Sequence, residues 1–148
     1  MKTTFKKPVS MTFLIICGAF MLMSSTKKTE LQTSTWVAPK DADALVNPLK
    51  DKADATAEGK KLYTQLCVVC HGDKGKGNGV AAGGLTPKPA DHTNQKCQSQ
   101  TDGAIYWKIT NGKPPMASYK AGLKDEQRWA LVNYIRTLAV KGKVTASN

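Results

Sequence analysis

A chain of 148 residues that carries 22 lysines and arginines against 11 acidic residues, a formal charge of +11, has room for one domain and excludes a multidomain assembly. Once a leader and a linker are set aside, a core of about 90 residues remains, too small to be robust without help from a ligand or cross-link. So basic a chain calls for a nucleic acid, an anionic lipid surface or an acidic protein partner.

Lys2, Lys6 and Lys7 precede an apolar run from Val9 to Met23 that only Ser10, Thr12 and Gly18 interrupt. Residues 1–25 are therefore read as a secretory signal peptide, or as an N-terminal membrane anchor, because Ser24-Ser25-Thr26 is not a clean small-x-small cleavage site. Lipidation at Cys17 is disfavoured by Ile16 before it and the apolar residues after it. Export makes nucleic acid an unsuitable partner. Residues 26–55, polar from Thr29 to Thr35 and interrupted by Pro39 and Pro48, read as an extended tether, with Trp36 either folded back or exposed.

Residues 56–66 predict a first helix: Thr56 is a candidate cap, Glu58 lies in the first turn, and Leu62, Tyr63 and Leu66 recur at helical spacing. It leads into Cys67-Val68-Val69-Cys70-His71, the attachment sequence of a c-type haem. Two thiols one helical turn apart can each add across a vinyl group of one porphyrin, and His71 then supplies the proximal ligand to its iron. A thioredoxin-like dithiol would need a preceding strand, and a zinc site would need more ligands than Cys97 and His92 downstream. Neither alternative fits as well.

The glycine-rich run from Gly72 to Gly79 is not a phosphate loop, since it follows a helix rather than a strand; its glycines let the backbone bend tightly round the porphyrin edge. Leu85 to Asp91, with Pro87 and Pro89, reads as a rigid extended segment. His92 lies in a polar stretch without an apolar face and reads as an exposed loop histidine rather than a distal ligand. Cys97 is the leftover cysteine, expected to be a buried or capped thiol. A short helix is predicted from about Asp102 to Thr110, stopped by Asn111-Gly112.

Met116 is the only methionine beyond residue 23. Gly112, Pro114 and Pro115 would hold its loop extended, so that its thioether can reach the iron as sixth ligand. Residues 124–139 predict an amphipathic helix, with Trp129, Val132, Ile135 and Ala139 three and four apart and Asp125 and Glu126 at its start. Residues 141–148 form a C-terminal tail. Little or no sheet is expected.

Residues 56–140 resemble a class I monohaem c-type cytochrome, the bacterial periplasmic family. The likeness rests on Gly59 and Tyr63, the Cys-x-x-Cys-His motif, Asp102 to Trp107, the Gly-x-Pro-Pro-Met loop, and Leu123 to Leu138 with Trp129 and Tyr134. It implies an all-α domain wrapped round one covalently bound haem c. It further implies that the first and last helices cross with Gly59 at close approach, and that the carbonyl of Pro87 or Pro89 accepts from the proximal histidine.

The expected function is electron transfer by a haem ligated through His71 and Met116, cycling Fe(III)/Fe(II), in the periplasm, soluble or anchored to the membrane. No nucleophile or acid-base pair is required, so the chain is read as a carrier and not an enzyme. The alternatives are a haem subunit of a larger oxidoreductase and, more remotely, a small haem enzyme or gas sensor with an open sixth site. Without its leader the chain keeps a charge of +8, or +6 with two ionised propionates. That suits a redox partner with an acidic docking face, met by Lys74, Lys76, Lys88, Lys113 and Lys120. The haem-free chain is expected not to fold stably.

Overall fold

A computed structural model describes residues 1–2 and 36–140. The leader beyond Lys2, the first part of the expected tether and the tail from residue 141 lie outside the described residues. Among those described, six α-helices and one 3-10 turn follow each other with no strand: α1 (Lys40–Asp43), α2 (Ala53–Leu66), α3 (Val68–His71), the 3-10 turn Ala82–Gly84, α4 (Gln95–Gln98), α5 (Asp102–Asn111) and α6 (Asp125–Thr137). The domain is all-α, as expected. No helix among the described residues is long and apolar enough to cross a membrane.

The helix before the cysteines begins three residues earlier than expected, at Ala53. Two alanines and an aspartate in its first turn extend it upstream. Thr56 does not cap it: its hydroxyl donates back to the Lys52 carbonyl at 3.0 Å, inside the helix. The caps of the later helices are better made. Thr101 accepts from the Ala104 amide at 3.0 Å at the start of α5, and Gln127 reaches back to accept from the Lys124 amide at 3.0 Å at the start of α6.

Helices α2 and α6 form the central crossing. A side chain at Gly59 would overlap the Ala130 carbonyl, so only hydrogen lets the two backbones meet. Around that crossing Leu62, Tyr63, Cys97, Ile105, Ile109, Trp129, Leu131, Val132 and Ile135 make one buried apolar cluster. Cys97 lies within it, as a buried free thiol. Leu131 and Val132 are buried on adjacent faces of α6, so this helix is covered on more than one side.

The stretch from Trp36 to Lys52 is not the extended tether that its composition suggests. Ala38 and Ala42 are buried against Ala104 with Trp107 beside them, and a side chain at Gly103 would overlap the Ala42 carbonyl. Trp36 folds back onto Trp107, ring centroids 6.4 Å apart, and the Lys108 ammonium lies 5.6 Å from the Trp36 ring centre. Asn47, 7% exposed, donates to Asn133 at 2.8 Å and to Asp102 at 3.2 Å. Its own oxygen accepts from the Leu49 amide at 2.9 Å. Small residues and one well-satisfied amide thus strap this segment across α5 and α6.

Candidate functional site

Helix α2 ends at Leu66, and the chain re-enters a single helical turn, α3, that carries the motif. The Cys70 and His71 amides both donate to the Cys67 carbonyl, at 3.1 and 2.8 Å. Helical spacing therefore places Cys67 and Cys70 one turn apart, with both thiols unpaired and half-buried. The Cys67 thiol is pushed up to about 12, by burial first and then by Cys70 beside it. A redox dithiol requires the opposite shift, toward the thiolate. No group of three or more His, Cys, Asp or Glu side chains among the described residues is arranged to hold a metal ion.

The glycine run folds back onto the motif. The amides of Gly77, Gly79 and Ala81 donate to the carbonyls of His71, Cys70 and Val69 at 2.8, 3.0 and 2.9 Å. A side chain at Gly79 would overlap the Val68 and Val69 carbonyls. The run thus pairs with the motif's own backbone and leaves Val69 and Val80 exposed beside it.

His71 is buried, 9% exposed. Its Nδ1 donates to the Ala90 carbonyl at 2.9 Å, which leaves Nε2 as the nitrogen available to a metal. The acceptor is therefore Ala90, and not Pro87 or Pro89. Burial lowers the His71 pKa below the ordinary histidine value, and the Ala90 hydrogen bond offsets part of that.

His92 departs furthest from expectation. Instead of sitting exposed in its loop it stacks on His71, ring centroids 4.1 Å apart and planes 18° from parallel. Face-to-face rings do not place their nitrogens in line on opposite sides of one iron, so this stacking does not suit His92 and His71 as a ligand pair. Asp91 builds this placement: its carboxylate accepts from the Thr93 amide at 2.8 Å and from the Thr93 hydroxyl at 2.7 Å, a tight turn that directs the intervening side chain inward. The Asp-x-Thr spacing is the one sequence signal of that turn. Burial, and next the nearby His71, lower the His92 pKa to about 3. Tyr63, fully buried, shares a hydrogen bond between its hydroxyl and His92 Nδ1 at 3.1 Å, and the same hydroxyl lies 3.5 Å from the Gly72 carbonyl. Its own pKa is raised by burial and then by Cys67, so it keeps its proton.

Met116 lies in a turn closed by two backbone hydrogen bonds with Lys113, at 3.1 and 2.8 Å. It borders the same apolar cluster as Cys67, Val68, Tyr119 and Leu123. The loop is pinned on both sides. Ser118 donates to the Thr110 carbonyl at 2.7 Å, and Tyr119 donates to the Leu66 carbonyl at 3.2 Å. Unpaired thiols one turn apart, a buried imidazole with one nitrogen engaged, and a half-buried thioether on a pinned loop fit a covalently held porphyrin. Of the five lysines named from sequence, Lys88 is tied to the Ala82 and Gly83 carbonyls at 3.0 and 2.7 Å; Lys74, Lys76 and Lys120 are exposed.

The family model for Cytochrome c matches residues 56–139. Cytochrome c6 of Leptolyngbya boryana is 36% identical over 91 residues, 61% of this chain and 99% of that protein. Among solved structures, the chain is similar to part of the Kuenenia stuttgartiensis reducing HAO-like protein complex Kustc0457/Kustc0458, with a TM-score of 0.57 and 30% identity. That match covers 63% of this chain but 47% of the other, so the chain spans less than half of that neighbour's length. The KustC0563 c-type cytochrome is 31% identical over 55% of this chain and 98% of its own, with a TM-score of 0.49.

Proposed function

Because the chain belongs to the cytochrome c family, we propose that it is a periplasmic electron carrier whose single haem is attached through Cys67 and Cys70 and ligated by His71 and Met116. Haem-based electron transfer and covalently bound haem c are the properties of the family. The observation that carries the residue assignment is the pairing of an imidazole engaged through Nδ1 with a methionine loop tied to the residue before Cys67.

When bound, the haem supplies a one-electron Fe(III)/Fe(II) couple. The protein's own part is to hold and shield it. Ala90 holds His71 in the tautomer with Nε2 unprotonated, and the backbone pairing of residues 77–81 with the motif keeps α3 rigid. The Met116 turn presents a soft, neutral sulfur, which favours the reduced state and raises the potential. The exposed Val69 and Val80 and the exposed Lys74, Lys76 and Lys120 are the apolar and basic groups offered to a partner with an acidic docking face.

The test is the optical spectrum of the haem-loaded protein. The oxidised form is expected to show the sulfur-to-iron charge-transfer band in the far red, and Met116→Ala to abolish it and lower the potential. Immediate carbon monoxide binding by the reduced wild type, with no such band, would place an open sixth site in the protein and favour a sensor or enzyme.

A second reading, the haem subunit of a larger oxidoreductase, is favoured by the likeness to a chain from a named protein complex. Stoichiometric co-purification with a second polypeptide supports it. A monomer that exchanges electrons with soluble partners at rates falling with ionic strength supports the carrier.

A further inference from the structure

Two residues of one short segment grip the His71 ring from two directions. The Ala90 carbonyl meets it at its edge, through Nδ1 at 2.9 Å. A single hydrogen bond to a ring vertex is directional along its own axis and resists rotation about that axis weakly. Two residues later the flat face of His92 lies 4.1 Å from the His71 ring, 18° from parallel, and blocks that rotation. We propose that His92 is a positioning residue for the haem ligand: its stacked ring fixes the plane of the His71 imidazole about the axis toward the iron. This rests on the reading of His71 as that ligand.

The clamp is itself held from several sides. The His92 amide donates to the Gly75 carbonyl at 2.6 Å, and Gln98 donates to the His92 carbonyl at 2.6 Å while also donating to Ile135 on α6 at 2.9 Å. The ring is fixed by the Tyr63 hydroxyl on α2 at 3.1 Å and by the edge of the Tyr63 ring, centroids 5.8 Å apart. Tyr63 in turn meets Tyr134 of α6 edge-on at 5.1 Å. The orientation of the ligand ring is therefore referred to both crossing helices through Tyr63 and Tyr134.

Rotation of an axial imidazole about its bond to ferric iron redistributes unpaired spin among the porphyrin methyl groups. Proton NMR of the oxidised, haem-loaded protein reads that rotation directly. His92→Leu keeps bulk without a flat face and is expected to reorder the haem-methyl shifts. His92→Phe restores the flat face and is expected to return the wild-type order, both variants keeping the low-spin optical spectrum. Identical methyl patterns in wild type and His92→Leu would overturn the proposal and leave His92 a space-filling residue. If His92→Leu yields no folded haem protein, His92→Ala carries the test, since it too removes the flat face that lies on the His71 ring. A changed pattern then supports the proposal, and an unchanged one overturns it. His71→Ala separates the layer beneath: a low-spin ferric spectrum that survives it would refute His71 as ligand and the clamp with it. Loss of that spectrum beside an unmoved His92→Leu pattern refutes the clamp alone.

Discussion

The hydroxyl of Tyr119 donates to the carbonyl of Leu66 across 3.2 Å, joining the loop that carries Met116 to the last residue of the helix that precedes Cys67. Two parts of the site far apart in sequence are held together by one side chain. Tyr119→Phe removes that bond and is expected to cost about 0.5–1.5 kcal/mol of stability. The larger effect falls on the loop. In the haem-loaded variant the sulfur-to-iron band should fade at a lower temperature than in wild type while the Soret band persists, a contrast that variable-temperature absorption checks.

Gly59→Ala tests the helix crossing. The added methyl meets the Ala130 carbonyl, a backbone group that cannot swing aside, so α2 and α6 must part or tilt. A loss of about 3 kcal/mol is expected, at the upper end for overpacking. Thermal unfolding should then shift down by roughly 10–20 °C for a domain of this size.

Acid sensitivity follows from the histidine stacked on His71. His92 titrates at about 3 in the fold against 6.5 for an ordinary histidine, so below 6.5 the unfolded chain takes up a proton that the folded chain refuses. Stability is expected to fall as the pH drops from 6.5 toward 3, by up to about 1.4 kcal/mol per pH unit for this one group. His92→Phe should flatten that slope. Urea titrations at a series of pH values measure both, and equal slopes would remove His92 as the cause.

Asn47→Ala tests the strap. It takes one donor from Asn133 and one from Asp102 and leaves the buried Asn133 oxygen without that partner. A cost of about 2–3 kcal/mol is expected, several times that of truncating an exposed asparagine. Protease accessibility of residues 36–52 should rise with it, which limited proteolysis followed by mass spectrometry checks.

Sequence patterns made much of this molecule legible, and the reasons they stop are physical. The cysteine and histidine spacing, the methionine turn and the periodicity of α6 are local, and each carries its chemistry in adjacent residues. His92 belongs to a loop with no periodicity, and what brings it inward is a turn closed by Asp91 and Thr93 together with a backbone bond to Gly75. Hydropathy holds no record of such contacts. The choice of Ala90 over the flanking prolines depends on the register of an extended segment, and composition does not set register. The strap has the composition of a tether because its buried residues are alanines and an amide. Their fit depends on a glycine more than fifty residues away, at position 103.

That strap separates two boundaries usually assumed to coincide. The match to the family model starts at residue 56, whereas the packing of the same unit reaches back to Trp36, whose ring lies against Trp107. A chain cut to begin at that match would expose the small-residue face of α5 and leave Asn133 without its partners Asn47 and Leu49. For this protein the segment that the family model matches and the segment that packs together are different lengths of polypeptide, and any graft, fusion or isotope-labelled fragment has to respect the longer one.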